Sequence, residues 1–573
     1  MDNSIKITIG VIIILVLVVI KVVYDEKKYM EKLTSRLKRT WGQPTRQEYS
    51  EVIWKNIKYY HENTAGENDI DDITWNDLEL DRVYEKINHT RTSVGEEYLY
   101  AMLHKPCTDS EELAERERVI ELMADNEEER LKLQIAFSQM GKPGKISVYE
   151  YMNSVKDINA PNRLKHILSG ILFLISGALC FVWPSVMIIV FVAVVVHNIF
   201  SYYKDKSLIE PYIQLFGFIV RTVAQSRDIV DLKISGLEDY MDSLDKSVKS
   251  FKKFCKHSSL IAGGQMGGDL LDSLMDYVRM LVHIDIIKMC TMVSEAKKLN
   301  EELFNIYEVI GFLDSMISIC SYRESLENWC IPEFDNKNIG IGAKNLYHPL
   351  IAKPVKNSIS VEKSVLLTGS NASGKSTFIK TVAINAIFAQ TINTVLADSY
   401  KTCFYYIYSS MALRDDLENS ESYYIVEIRS LQRILDKVKE SKVPVLCFID
   451  EVLRGTNTLE RIASSSEILA YLAGKGAMCF AATHDIELTN MLKKYYVNYH
   501  FEEHVDEEDV LFDYRLREGA ANISSSSSRN QSRTVFLMLY AARSMYIPVI
   551  VTKSEGDQPS SSNWRSNSSS LAR

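Results

Sequence analysis

Nine consecutive residues, Gly369-Ser370-Asn371-Ala372-Ser373-Gly374-Lys375-Ser376-Thr377, have the types and spacing to hold a polyphosphate. They follow the apolar run Val365-Leu366-Leu367 and lead into a predicted helix, Phe378 to Gln390. The pattern is G-x-x-x-x-G-K-S in a strand–loop–helix setting. Glycines let backbone N–H groups turn inward on phosphates, and a helix N-terminus adds partial positive charge. Lys375 would neutralise the β- and γ-phosphates, and Ser376 would ligate magnesium. A plain Gly/Ser-rich turn shares the composition but lacks the flanking elements and the motif that follows. The chemistry predicted is binding of a nucleoside triphosphate.

That second motif is Val445-Leu446-Cys447-Phe448-Ile449-Asp450-Glu451, an apolar strand ending in two carboxylates. A continuous apolar run reads as a buried strand, and acids at its C-terminal end meet a ligand at the mouth of an α/β sheet. Asp450 is expected to hold the magnesium, directly or through water. Glu451 is expected to be the general base or water-orienting group for hydrolysis. A third strand, Ala477 to Thr483, ends at His484-Asp485. Alone, His484 would read as a structural histidine; after the other two motifs it reads as a γ-phosphate switch.

The order GSNASGKST, then Asp415 to Ile428, then Phe448 to Thr458, then Ala482 to Thr489 resembles the MutS ATPase domain. In that family the P-loop carries an asparagine two residues after its first glycine, matched by Asn371. Leu453-Arg454-Gly455-Thr456-Asn457-Thr458 matches in part the G-R-G-T-x-T element, and Ala482-Thr483-His484 matches A-T-H. Asp415-Asp416 and Ser420-Glu421-Ser422 match the paired acids and the serine-rich signature. Asn345 to Leu350 resembles the R-H-P element upstream of the P-loop. The resemblance covers about 180 residues and implies ATP and Mg2+ as ligands, an ATP hydrolase, and a homodimer through the ATPase domain. It also implies that Ser422 reaches the partner chain's γ-phosphate in trans, although Ser420 replaces the family's glycine two residues earlier. A weaker likeness, Leu78 to Met123 with Arg91-Thr92-Ser93-Val94-Gly95 and then Leu303 to Phe334, implies the two ends of a helical MutS core and lever.

The surrounding chain departs from the family. Only about 75 residues precede the core, so no mismatch-reading domain is expected there. The Phe-x-Glu wedge is absent from that region, and Phe501-Glu502-Glu503 matches it out of place. Ile7 to Ile20, extended by Val22-Val23, makes an apolar run of roughly 17 residues, the short end of a spanning helix. Lys21, Lys27, Lys28, Lys32, Arg36, Lys38 and Arg39 follow, which the positive-inside rule reads as an uncleaved anchor with its N-terminus outside. Ile167 to Phe200 is a second apolar block, broken near Pro184 and flanked by Arg163, Lys165, Lys204 and Lys206. It reads as a membrane hairpin, with a buried core hairpin as the alternative.

The domains expected are an anchor at 1–30, a first core part at 31–160, a hairpin at 161–203 and a second core part at 204–334. An ATPase domain at 335–522 and a low-complexity tail at 523–573 complete the chain. The fold class is thus α plus α/β: a helical MutS-like core with transmembrane helices, then a P-loop, ABC-like α/β domain. The chain is placed in the cell membrane, multi-pass, with core and ATPase domain in the cytoplasm. Nine scattered cysteines without a C-x-x-C pair argue against a zinc site or disulfide frame, and a net charge of −9 gives no overall attraction to nucleic acid. The basic stretch Lys246, Lys249, Lys252, Lys253 and Lys256, with Phe251 and Phe254 interleaved, is either a contact for DNA phosphate or anionic lipid, or a solvated helix face. The Gly263–Gly268 segment reads as a loop. Two functions remain open: an ATP-driven, double-stranded-DNA-binding switch related to mismatch repair but without mismatch reading, and a membrane conformational or transport-like ATPase that never touches DNA.

Overall fold

The phosphate-loop motif opens a helix at the end of a central strand, and two lobes grow outward from that junction. The computed structural model describes residues 3–520 except 46–47, 143–145, 159–160, 210–211, 258–276, 371–372, 412–422, 454–456 and 506–509. The Gly263–Gly268 segment, the predicted signature residues Asp415, Asp416 and Ser420–Ser422, and the tail beyond 520 lie outside the described residues.

The helical lobe contains α1 (Asn3–Thr40), α2 (Glu51–Thr64), α3 (Asp72–Asp77), α4 (Leu80–Ile87), α5 (Ser93–His104), α6 (Ser110–Asp125), α7 (Glu127–Met140) and α8 (Val148–Ser154). It continues with α9 (Arg163–Leu179), α10 (Pro184–Ile209), α11 (Ile213–Asp231), α12 (Glu238–Ser250), α13 (Lys252–His257), α14 (Ile284–Lys298) and α15 (Asn300–Glu324). The Arg91–Gly95 run gains a reason from α15. Asp314 accepts from Arg91 N at 3.1 Å, Thr92 N at 2.8 Å and Thr92 Oγ1 at 2.8 Å, and so caps the start of α5. Gly95 is required there, because a Cβ would lie 2.3 Å from Asp314 Oδ2. One turn on, the buried Glu97 accepts from Val148 N, Tyr149 N and the Tyr307 hydroxyl at 2.7–3.1 Å. Burial pushes its carboxyl up to about 8.

Three elements leave this core with apolar faces outward. The upper part of α1 exposes Ile12, Ile14, Leu17, Ile20 and Val23 by half or more, whereas its foot buries Leu37 and pairs Lys38 with Glu127 at 2.9 Å. The helix runs unbroken past residue 30. Helices α9 and α10 pack antiparallel, Phe173 on Phe191 at 5.4 Å, and Pro184 starts α10, where its missing N–H costs nothing. At their turn Phe181 is 93% exposed. Two described helices are long and apolar enough to cross a membrane, Pro184–Leu208 and Asn300–Glu324. They differ in packing: 22% of the apolar stretch is buried in the first and 78% in the second, which is a core helix.

Burial also settles the interleaved phenylalanines. Phe251 and Phe254 are fully buried in the helical core, and Lys249 pairs with Asp245. The two rings thus offer no aromatic platform, and Lys246, Lys249, Lys252, Lys253 and Lys256 are exposed.

The C-terminal lobe is α/β. Its main sheet has the order β10-β9-β4-β8-β7-β6, formed by β4 (Ser364–Thr368), β6 (Tyr406–Ser410), β7 (Val445–Asp450), β8 (Met478–Thr483), β9 (Tyr496–Val505) and β10 (Val510–Glu518). All neighbours are parallel except β10 on β9. A smaller sheet, β1-β5-β2-β3, uses β1 (Glu333–Phe334), β2 (Ile341–Leu346), β3 (Asn357–Val361) and β5 (Ser399–Thr402). Helices α16 (Lys375–Thr391), α17 (Tyr423–Glu440), α18 (Thr458–Gly474) and α19 (Glu487–Met491) complete the lobe. Strands β4, β7 and β8 are almost wholly buried, which is why they read as unbroken apolar runs.

The lobes are bolted together by polar contacts, most of them buried. Asp77 accepts from Ser409 Oγ at 2.6 Å and Met411 N at 2.9 Å, at the end of β6. Arg323 makes two bonds to Glu117, at 2.6 and 2.7 Å, and donates to the Asn393 carbonyl at 2.9 Å, just past α16. Lys380 on α16 reaches Glu79 at 2.9 Å.

Candidate nucleotide site

Strands β4, β7 and β8 end side by side, so the three sequence motifs converge at one sheet edge. Gly369 follows β4 with φ +146°, and a Cβ there would lie 2.8 Å from Ser373 Oγ. Gly374, at φ +103°, precedes the first residue of α16. Both positions require the left-handed region that glycine enters without cost. The predicted helix start moves three residues back, to Lys375, because the loop ends at that glycine. Asn371 and Ala372 are not among the described residues.

Lys375 is 3% exposed, and its ammonium donates to the carbonyls of Gly369 at 2.6 Å and Ser370 at 2.8 Å. It therefore folds back over its own loop. Ser376 Oγ donates to Asp450 Oδ2 at 2.5 Å. These two oxygen ligands, one hydroxyl and one carboxylate, suit a hard cation such as Mg2+. Glu451 Oε1 lies 2.7 Å from His484 Nε2, and that nitrogen is 3.5 Å from Lys375 Nζ. Thr377 lines an adjoining cavity. Ser422 falls outside the described residues.

The loop after β7 is strained. Glu451 and Leu453 adopt φ +58° and +56°, each at a cost of roughly 1–3 kcal/mol that the surroundings must offset. Glu451 N donates to the Ala482 carbonyl at 3.0 Å, and Ser465 Oγ donates to the Val452 carbonyl at 3.3 Å. Arg461 of α18 grips Asp485 through two bonds, at 2.5 and 2.9 Å, and fixes the residue next to His484.

A cavity of about 330 Å³ opens beside the loop, lined by His348, Ile351, Pro354, Val355, Thr377 and Tyr514 among others. Tyr514 was not singled out from the sequence. It has φ +53° at a register shift in β10, and its ring would be 3.1 Å from a Cβ on Gly374. Asn357 holds this bulge, donating to the Tyr514 carbonyl at 3.0 Å and accepting from Leu516 N at 2.8 Å. Neither residue belongs to a local motif, so nothing in the sequence flags them. His348 is buried, accepts from Leu350 N at 3.1 Å, and is held down to about 4 by burial, so it is neutral. Phe501 packs inside β9 against Phe378, 4% exposed, which removes it as a DNA wedge.

The family model for MutS domain V matches residues 365–531, the stretch that supplies the loop, both carboxylates and the histidine. Over this stretch the chain is similar to the MutS family. MutS protein homolog 4 of Homo sapiens is 29% identical over 260 residues, 42% of this chain and 27% of that protein. DNA mismatch repair protein MutS of Pseudothermotoga lettingae is 31% identical over 232 residues, 38% of this chain and 28% of its own length. The same-named protein of Lactobacillus acidophilus is 33% identical over 209 residues, covering 35% and 24%. The match to each of these MutS-family relatives spans under a third of its length. The mixed α/β architecture, with its sheets confined to the C-terminal region, accords with a MutS-like ATPase domain.

Proposed function

We propose that this chain is an ATP hydrolase whose nucleotide site drives a membrane-attached helical lever. The observation that carries this reading is the contact set at one sheet edge: Lys375 over Gly369 and Ser370, Ser376 on Asp450, and Glu451 on His484. Gly369 to Thr377 would wrap the phosphates, with Lys375 leaving its loop carbonyls for phosphate oxygens. Ser376 and Asp450 would hold Mg2+, which when bound neutralises phosphate charge. Glu451 would orient the attacking water and accept its proton. His484 would report the γ-phosphate, and Ser422 of a second chain would complete the site, so the working unit is a dimer.

The domain division follows the same reading: anchor 1–30, core 31–160 and 204–334, hairpin 161–203, ATPase 335–522. Support for membrane attachment comes from the outward apolar faces of α1, α9 and α10, which water would disfavour at roughly 25 cal/mol per Å². Of these, α10 is the one among the described helices long and apolar enough to cross a membrane by itself; with α1 and α9 as shorter spans beside it, both lobes would lie in the cytoplasm.

DNA is the partner suggested by the names of the mismatch-repair relatives, taken here as double-stranded, and mismatch reading is not part of the proposal because Phe501 is a core residue. A second reading, an ATPase that moves its spans without DNA, is favoured by the net charge of −9, which gives no overall attraction to phosphate. One experiment separates the two. Full chain in lipid nanodiscs is assayed for ATP hydrolysis and for duplex retention from about 50 to 200 mM salt, where contacts to several phosphates should cost orders of magnitude in affinity. Hydrolysis with steep salt-dependent retention supports the DNA switch; hydrolysis without retention supports the second reading; no hydrolysis refutes both.

A further inference from the structure

The Glu451–His484 contact joins two loops that follow different strands, and one helix, α18, touches both. Arg461 and Ser465 stand four positions apart on α18, so they share a face. Ser465 Oγ donates to the carbonyl of Val452 at 3.3 Å, between the two left-handed residues Glu451 and Leu453. Leu453 N is held in turn by Glu427 of α17 at 2.5 Å. One turn earlier on α18, Arg461 donates from Nε to Asp485 Oδ2 at 2.9 Å and from a terminal nitrogen to Oδ1 at 2.5 Å. Two parallel bonds from a planar guanidinium fix orientation as well as distance. The Asp485 N–H also donates to Thr483 Oγ1 at 3.0 Å, which pins the backbone on the far side of His484. The Arg461 and Asp485 side chains are 26% and 11% exposed, whereas that of His484 is 36% exposed. The histidine is thus the less enclosed residue, and its neighbour carries the anchor.

We propose that Arg461 is a positioning residue, which through Asp485 holds the His484 ring against Glu451. Helix α18 then acts as a splint, with Ser465 on the loop that carries Glu451 and Arg461 on the loop that carries His484. Cutting the Arg461 end removes both side-chain bonds from Asp485 to the helix and gives His484 room to leave the carboxylate. A displacement of about an ångström is enough to cost a large factor in rate when a reacting group must be aimed. Among the described residues, neither Arg461 nor Asp485 bonds to the Gly369–Thr377 loop, so the hold on phosphate is separate from this clamp. This inference rests on the ATPase reading above.

The test compares Arg461→Ala, Asp485→Ala, the double variant and Arg461→Lys in the full chain in lipid nanodiscs, for ATP affinity and kcat. Each alanine change should lower kcat about tenfold while leaving nucleotide Kd within about threefold. The double variant should be at most about twofold worse than either single one, because both remove the same pair. Arg461→Lys keeps the charge but loses the fork, and should fall between Arg461→Ala and wild type. Amide hydrogen exchange over residues 483–487 should speed up in both single variants. Unchanged kcat, losses that multiply to about 100-fold in the double variant, a lysine no better than alanine, or unaltered exchange over 483–487 overturns the proposal. So does a joint fall of affinity, kcat and melting temperature, which is the signature of a merely structural pair. Should the alanine variants not fold, Arg461→Lys and Asp485→Asn carry the test, with the same split between kcat and Kd at about three- to tenfold. A wild-type chain that hydrolyses no ATP overturns the ATPase reading instead, and is thereby distinguishable.

Discussion

Glu451 Oε1 and His484 Nε2 face each other across 2.7 Å, although the two residues follow different strands of the sheet. Strands β7 and β8 are neighbours in parallel register, Asp450 opposite Ala482, so the residues just after them must meet. The left-handed turn at Glu451 swings its side chain toward the histidine. With the Lys375 ammonium 3.5 Å from the same ring nitrogen, a carboxylate, a histidine and an ammonium share one small volume where a terminal phosphate is expected.

The first expected outcome concerns these groups. Lys375→Ala should weaken nucleotide binding about 100-fold or more, because an ammonium on phosphate is lost. Glu451→Gln should bind ATP with near wild-type affinity but lose about 10²–10⁴ in kcat, as the water lacks its base. Equilibrium binding and single-turnover hydrolysis check both, and equal loss of binding in the two variants would contradict the role given to Glu451.

Tyr514→Ala opens the wall above Gly374. Nucleotide affinity should fall about tenfold, or ~1.4 kcal/mol, with kcat at saturation little changed, since the ring sits beside the cavity and away from Glu451. Asn357→Ala should move affinity in the same direction by releasing the β10 bulge. Titration with a fluorescent nucleotide measures both, and unaltered affinity in both variants would remove the cavity from the site.

Glu97 gives a pH signature. Its folded value of about 8 is raised above the ordinary 4.5, so its stabilising contribution is fully present below about pH 4.5 and is lost as pH rises through 8. Glu97→Gln cannot ionise. Wild type should therefore lose stability relative to this variant between about pH 5 and 9, read from denaturant midpoints at several pH values. A difference that stays flat across that window would mean the carboxylate is ionised inside the fold.

Mixing inactive chains tests the shared site. Lys375→Ala and Ser422→Ala should each be inactive alone, yet a heterodimer keeps one site with an intact P-loop facing an intact serine. Partial activity should return, roughly a quarter of wild type after random mixing if the two sites fire independently, because half the dimers carry one competent site. No recovery with heterodimers demonstrated by pull-down counts against trans completion, and full activity from isolated monomers excludes it.

The sequence by itself marked the residues to which the proposed ligand-facing chemistry is assigned, because their motifs are local. Gly369 to Thr377, Asp450-Glu451 and His484 each lie within one strand-to-loop transition, where type and spacing are read directly. It also marked the apolar runs that became β4, β7, β8, α1 and the α9–α10 pair. What it could not decide is how deeply each apolar stretch is packed: α15 and α10 both contain 25 residues long and apolar enough to cross a membrane, and packing separates the core helix from the outward one. Nor could it decide that Phe251 and Phe254 turn inward, since helical spacing gives a face but not its direction. The bond from Glu427 to Leu453, the Asn357 clamp on the Tyr514 bulge, and the Asp314 cap on Thr92 join residues 26, 157 and 222 positions apart. Local propensity carries no trace of such pairs; chain folding brings them together, and burial makes the Glu427 and Asp314 bonds obligatory.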